Sequence, residues 1–441
     1  VSDCWAVKDF HENHKVTKTA EESAALAINN TCDLNCGCTY HSAISAVRQG
    51  LLTEEKINES VFRLLMTRMK LGMFDSWEKS KWANLGLKDV DSPSHRELAR
   101  KVAQASIVLL KNEKNVLPLT KENYANRPLK KILVMGPSAT NINCLLGNYY
   151  GLNSRLVTIL EGIVGKIQER PEITLDFHPG VGMYHDSMQR GWTLGMAEKS
   201  DVVIACFGLD SMMEGEEGDS VETVRGDREN IELPSHQLSY LRAIKERGTP
   251  VVLVLTGGAA IAFPRDIADA ILFVWYPGEE GGNAVADVIF GDLSPSAHLP
   301  LTFPLSTSDL PSFDDYSMEN RTYRYVEKEV LYPFGFGLSY AKWKFQDLKI
   351  SVNDEVFKSC NLSNLESSTK DLFLSRFENP DFSSLTSNFC KVSFTLQNES
   401  SYNASEVVQL YVSKKNRRKN EPISSLRAFK KVFVFAGEKA N

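Results

Sequence analysis

No apolar stretch in this sequence approaches the roughly 20 residues that a membrane-spanning helix needs. The longest candidate, Val251 to Phe263, is interrupted by Thr256, Gly257 and Gly258, so no membrane partner is expected. Basic charge is not in excess either. A formal net charge of -6 and a pI near 5.9 argue against nucleic acid as the main partner. Eight cysteines in 441 residues are too sparse for a disulfide scaffold. Cys32, Cys36 and Cys38 cluster in TCDLNCGC, but no second CxxC or CxxH pair follows, so structural thiols or one disulfide are expected there rather than zinc. His11 and His14 in HENH lack the HExxH spacing and are expected to serve the surface or packing. GPSATN has neither the Lys of a phosphate loop nor a full GxGxxG, which argues against a nucleotide site, and PGEEGG at 277–282 is expected to shape a turn at a helix start. No cofactor and no metal are expected.

What is present is ample apolar material, 42% of residues, over a length that suggests about two or three domains. The chain opens on VSDCWAV, without an initiator Met or a leader pattern, and is expected to be a piece of a longer protein. Over residues 1–75 a short apolar start leads to an Ala-rich helical pattern around Glu21 to Ala27 and a small helix from His41 to Arg48. A longer helix follows, capped by Thr53. Its Glu54 and Glu55 sit in the first turn and its Arg68 and Lys70 in the last, matching the macrodipole. Ile57, Val61, Leu64, Leu65 and Met69 share one face of it, and Gly72 suits its exit. Residues 76–92 read as a polar linker, and Pro93, Ser94 and Glu97 read as a capping box for a helix running to about Gln104. SIVLLKNE reads as a strand.

Four nearly continuous apolar runs then recur at Ile132 to Met135, Val202 to Phe207, Val251 to Leu255 and Ile271 to Trp275. Such runs suit strands buried on both faces of a parallel sheet. Helices fit between them at Leu156 to Glu169, Ser235 to Glu246 and Asn283 to Phe290. Residues 93–340 are therefore expected to form an α/β sandwich. Beyond residue 341, KVSFTLQN and SEVVQLYVSK alternate with period two, as half-buried antiparallel strands do, with an irregular polar span from Ser359 to Ser387 before them. A small β-sandwich is expected over 341–441. Sequons at Asn29, Asn58, Asn320, Asn361, Asn398 and Asn403 lean towards a secreted, extracellular protein.

The densest acidic stretch follows the run at 202–207 and holds Glu214, Glu216, Glu217, Asp219 and Glu222. In open α/β sheets ligands sit outside the carboxyl ends of the strands, where this loop would project. Crowded carboxylates cannot all ionise cheaply, so at least one is expected to titrate high enough to donate a proton near neutral pH. A solvated acidic loop is the plain alternative; the EF-hand ligand spacing of a calcium site is not present. Asp3 in VSDCW would stand at a strand end, the position from which barrel enzymes project catalytic groups; a turn or capping role is its plain alternative.

Taken together, VSDCWAV, TCDLNCG, ELARKVAQASIVLLKNEKNVLPL, LLGNYYG, GDRENIELP, WYPGEEGGNAVADVIFGDLSPSAHLPLTFP, YSMENRTYRY and YPFGFGLSY resemble glycoside hydrolase family 3, in particular its β-xylosidase and related β-glucosidase branches. The resemblance implies the C-terminal remnant of a (β/α)8 barrel at 1–75, an α/β sandwich with a mostly parallel sheet, and a fibronectin III-like β-sandwich. It implies an exo-acting retaining β-glycosidase that removes terminal β-linked xylose or glucose through a covalent glycosyl-enzyme intermediate, with catalysis shared between two domains. The SD motif maps the nucleophile onto Asp3. The xylosidase pattern GLD, three residues, then Glu-x-Glu maps onto GLDSMMEGE, making Glu216 the acid/base and Glu214 a substrate-side or pKa-tuning neighbour, with Glu217 an alternative register. Trp5 stands where xylosidases commonly carry an acidic residue and would offer an apolar wall to a sugar, core packing being its alternative. A catalytically inactive carbohydrate-binding or interaction protein on the same scaffold is the competing expectation. A closed barrel needs eight strands, so this piece made alone is expected to be inactive and partly misfolded at its N-terminal end.

Overall fold

A computed structural model of the chain describes residues 1–120, 124, 128–151, 153–187, 190–215, 228–352 and 390–440. The chain divides into two compact units, Val1–Val90 and Asp91–Asn441.

The first unit is helical: α1 (Ala6–Glu12), α2 (Ala20–Asn29), α3 (Ala43–Arg48) and α4 (Glu54–Lys70). The Thr19 hydroxyl caps α2 by accepting from Glu22 N at 3.2 Å, and Thr53 caps α4 through Lys56 N at 3.4 Å. Gly72, at φ 71°, closes α4 while Met73 N donates to Arg68 O at 3.0 Å, the αL exit that glycine permits. Ala25 and Ile28 of α2 pack with Ala46 and Leu52 into a small core. The apolar stripe expected on α4 forms, but within this unit it stays open: Val61 and Leu65 are each 44% exposed and Met69 65%. The strand expected to end at Asp3 does not form. Val1–Asp3 runs beside Leu34–Cys36 with only Ser2 N to Leu34 O (2.9 Å) and Trp5 N to Cys36 O (2.7 Å) joining the two backbones, too few bonds for a ladder, and the chain turns at Cys4 into α1, which the sequence reading did not anticipate.

The second unit is built on a six-stranded sheet of β1 (Val108–Asn112), β2 (Lys131–Met135), β3 (Thr174–His178), β4 (Val202–Gly208), β5 (Val251–Thr256) and β6 (Ala270–Trp275), in the order β1-β6-β5-β4-β2-β3. All neighbours are parallel except β1, which runs antiparallel to β6 at one edge. Alternate residues of the apolar runs supply opposite cores: Val203, Ala205 and Phe207 one, Val202, Ile204 and Cys206 the other. That two-sided burial explains why the runs are continuous rather than alternating. The covering helices are α5 (Pro93–Ser106), α6 (Ile159–Gln168), α7 (Arg190–Glu198), the single turn α8 (Ser211–Glu214), α9 (Ser235–Lys245) and α10 (Gly281–Ile289), with α11 (Thr322–Tyr325) beyond them. Edge strand β3 and helix α7 went unread in the sequence. TLDFH is half polar and only partly buried, and RGWTLGMAE carries two helix-weakening glycines.

The C-terminal part of this unit adds two antiparallel sheets. β7 (Trp343–Val352), β8 (Cys390–Asn398) and β11 (Lys439–Ala440) form one, and β9 (Ala404–Val412) with β10 (Ser425–Val434) forms the other. The expected strands KVSFTLQN and SEVVQLYVSK are β8 and β9. The polar span at 359–387 lies outside the described residues.

Candidate active site

Three neighbouring parallel strands, β4, β5 and β6, end side by side, with Gly208 opposite Thr256 and Thr256 opposite Trp275. The tip of β4 is pinned from the side: Gln237 of α9 accepts from Gly208 N and donates to Gly208 O, both at 3.0 Å. Two residues on, Asp210 is fully buried and starts α8. Its Oδ1 accepts from Met213 N at 3.0 Å, while its Oδ2 accepts from Tyr184 Oη at 2.7 Å and Asn141 Nδ2 at 3.0 Å. Burial, then the Asp210 carboxylate that it serves, pushes the Tyr184 hydroxyl well above its usual pKa, which keeps it a donor. Burial likewise pushes the nearby Cys144 thiol up to about 12, so it is not a thiolate nucleophile at neutral pH.

The turn α8 delivers Glu214 to the strand-tip edge. Its Oε1 accepts from Gly258 N, just past β5, at 2.9 Å. Tyr276, just past β6, lies against the same carboxylate: a Cβ placed on Gly258 would stand 2.8 Å from Glu214 Oε2 and 3.0 Å from Tyr276 Cε2. The Tyr276 hydroxyl is buried beside that carboxylate. Burial, then the charge of Glu214, pushes its pKa far above the usual value. The LLGNYYG loop closes the other side, with Asn148 Nδ2 donating to Gly215 O at 3.3 Å and Gly147 behind the Tyr276 ring.

Of the residues singled out in the sequence, Glu214 therefore sits in a defined polar setting at the carboxyl edge of the sheet. Glu216, Glu217, Asp219 and Glu222 lie outside the described residues. Asp3 is solvent-exposed, its Oδ1 accepting from Cys4 N at 2.8 Å. Trp5 is 53% exposed at the start of α1 with φ 64°, so it is not a core residue within its unit. Its indole lies over Gly37, beside a disulfide joining Cys4 and Cys36. Cys32 and Cys38 are free thiols, and His11 is hydrogen-bonded to Ser23 at 2.9 Å. PGEEGG does start a helix, α10, and its Glu279 and Glu280 anchor Arg96 of α5 at 2.9 and 2.5 Å. Asp210, Tyr184, Asn141, Gly258 and Tyr276 were not singled out as site residues. Their signal was positional: each lies in a segment that follows a strand of the parallel sheet.

Residues 107–340 match the glycosyl hydrolase family 3 C-terminal domain and residues 406–441 the fibronectin type III-like domain. A xylan 1,4-β-xylosidase from Xylanibacter ruminicola is 27% identical, over 100% of this chain and 64% of its own length. β-D-xylosidase 1 of Arabidopsis thaliana is 33% identical, over 83% of this chain and 46% of its own. Among solved structures, a β-glucosidase from Erythrobacter marinus superposes with a TM-score of 0.78 at 27% identity, covering 100% of this chain and 57% of that one. A family 3 exo-β-xylosidase bound to a xylobiose aziridine probe gives 0.80 at 23% identity, covering 99% and 55%, a likeness of fold. The chain thus spans about half the length of most of the curated relatives it matches, and somewhat more of the bacterial one. On these matches the chain belongs to glycosyl hydrolase family 3.

Proposed function

We propose that this chain is part of an exo-acting retaining β-glycosidase that releases terminal β-linked xylose, or failing that glucose, from oligosaccharides or glycosides. The observation that carries the reading is the fixing of Glu214 at the carboxyl edge of the sheet by Gly258 N–H, two residues before the proposed acid/base, Glu216. Relatives named as xylosidases support xylose first. In the proposed cycle the ionised Asp3 carboxylate attacks the anomeric carbon. The glycosidic bond breaks as Glu216 protonates the departing oxygen, leaving a sugar ester on Asp3. Glu216, now ionised, then takes a proton from water, which attacks the same carbon and frees Asp3. Retention of this kind needs the two carboxyl groups about 5–5.5 Å apart.

The test uses the full-length protein. A 2-fluoro-xyloside and a 2-fluoro-glucoside trap the ester, and peptide mapping should find the label on Asp3, the faster reagent naming the sugar. Glu216→Ala should lose activity on poor leaving groups and recover it with azide. Label on another residue, or azide rescue of Glu214→Ala or Glu217→Ala instead, would overturn the assignment. We further infer secretion, supported by the Cys4–Cys36 disulfide, since such bonds persist in oxidising compartments, and by exposed sequons at Asn29, Asn58, Asn320 and Asn403. Asn398 is excluded as a glycan site in the folded state: it is fully buried, and its Nδ2 donates to Tyr402 O and Val434 O.

A further inference from the structure

Within the first unit the Asp3 carboxylate is held by little of its own. Among the described residues its side chain takes a hydrogen bond only from Cys4 N, the next residue, at 2.8 Å. The backbone around it leans on the facing segment Leu34–Cys36. Ser2 N donates to Leu34 O at 2.9 Å and Trp5 N to Cys36 O at 2.7 Å. The Ser2 hydroxyl accepts from Asn35 Nδ2 at 3.1 Å and from Cys36 N at 3.0 Å. That facing segment is itself anchored to helices. Asp33 takes Arg63 Nε and Nη2 of α4 at 2.8 and 2.7 Å, and Tyr40 Oη donates to Cys32 O. One covalent bond ties the two segments together, the disulfide from Cys4 to Cys36, whose Cα atoms stand 4.4 Å apart. Hydrogen bonds at an exposed edge exchange with water at little net gain; the covalent bond does not. Cys4 is exposed and Cys36 half-buried, so a small thiol can reach the bridge.

We infer that Cys4 and Cys36 are a positioning pair for the reaction: their disulfide holds Asp3 in line for attack, and its reduction slows that attack while sugar binding persists. This rests on the reading of Asp3 as the nucleophile. A dithiol carries out the reduction. One of its thiolates displaces a bridge sulfur to give a mixed disulfide, and its second thiolate closes on the first. The protein gains two electrons and two protons as two thiols, and the dithiol leaves as a cyclic disulfide. Asp3 then keeps only the hydrogen bonds around it, and a misplacement of about 1 Å at a reacting group costs about 100-fold in rate. Cys32 and Cys38 are free thiols already and take no part.

The experiment follows one sample of the full-length protein as purified, after dithiothreitol, and after reoxidation with oxidised glutathione. It reads the rate of trapping by the 2-fluoro-glycoside and, separately, the inhibition constant of the free monosaccharide. Reduction should slow trapping by about 100-fold and move the inhibition constant by less than about 3-fold, because only the reacting geometry is lost. Reoxidation should restore the rate, which keeps the test independent of whether any variant folds. Cys4→Ser combined with Cys36→Ser should be slow from the outset and indifferent to dithiothreitol. Cys32→Ser combined with Cys38→Ser should respond as the wild type does. An unchanged trapping rate once the bridge is reduced overturns the inference. So does an equal loss of trapping and sugar binding, which would assign the bridge to folding alone, and so does a further slowing of the Cys4 and Cys36 double variant by dithiothreitol. An oxidised wild type that takes no label, or takes it on a residue other than Asp3, would instead bring down the nucleophile assignment itself.

Discussion

Asp287 shows how much one side chain can hold. It lies on α10, 2% exposed, and gathers cations and donors from two other helices. Arg100 Nε and Nη2 reach it at 2.8 and 2.6 Å, Gln104 Nε2 at 2.6 Å and Lys166 Nζ at 2.7 Å. Burial alone would raise its pKa, but the hydrogen bonds from Arg100, Lys166 and Gln104 outweigh it and hold the carboxyl below its usual value. That stabilisation is present above the unfolded-state pKa of about 3.9 and is lost as the pH falls through the lower folded value. Asp287→Ala would strip Arg100 of its carboxylate and leave Lys166 with Asp292 alone. It should cost about 3 kcal/mol at pH 7, read as a lower urea midpoint, and the mutant should lose part of the wild type's stability gain between pH 2 and pH 5. At this scale the sequence marks Glu214 by the acid around it, whereas nothing in WYPGEEGG distinguishes Tyr276. Its meaning comes from standing beside Glu214 and Gly258, three segments distant in the chain and adjacent only because β4, β5 and β6 pair in that order.

Among the elements, α6 and α10 pack at backbone distance. A Cβ on Gly162 would lie 2.0 Å from Gly282 O, and one on Gly282 would lie 1.8 Å from Thr158 O. Neither helix could sit where it does with a side chain at these positions, and α10 carries both Asp287 and the Glu280 start that holds Arg96. Gly162→Ala should therefore destabilise the protein by about 1–3 kcal/mol, as overpacking does, although alanine favours an isolated helix by up to about 1 kcal/mol over glycine. A thermal midpoint unchanged or raised would show that the helices can separate at no cost. The central strands were legible because burial on both faces forces unbroken Val, Ile and Leu. The edge strand β3 was not, because a strand with one solvated side and five residues of mixed polarity looks like any loop. The α4 helix was legible from its caps, but which surface covers its apolar stripe is a tertiary fact that periodicity does not carry.

For the molecule as a whole, the segment that leaves the α/β sandwich and strand β9 meet within the second unit over a partly closed polar contact. His298 Nε2 stands 3.6 Å from Glu406 Oε1, both side chains largely buried. Gln409 Nε2 donates to Gly335 O at 3.1 Å, and Tyr323 lies stacked on Phe334 with Tyr411 edge-on. Burial pushes Glu406 up to about 7. Burial, then the charge of Lys431, pushes His298 down, and Lys431 is itself lowered by burial. The two partners act in opposite directions. A carboxyl whose folded pKa is raised costs stability as the pH climbs from the unfolded value of about 4.3 to about 7, because the unfolded chain releases a proton that the folded one keeps. A histidine whose folded pKa is lowered costs stability as the pH falls below about 6.5. Glu406→Gln removes the first cost and leaves the second. The urea midpoint of the variant relative to wild type should accordingly rise between pH 5 and pH 8, with the variant the more stable protein at pH 8. A difference between the two that stays constant across that range would mean that Glu406 ionises in the folded protein as it does in water, and that the contact of β9 with the sandwich is open to solvent.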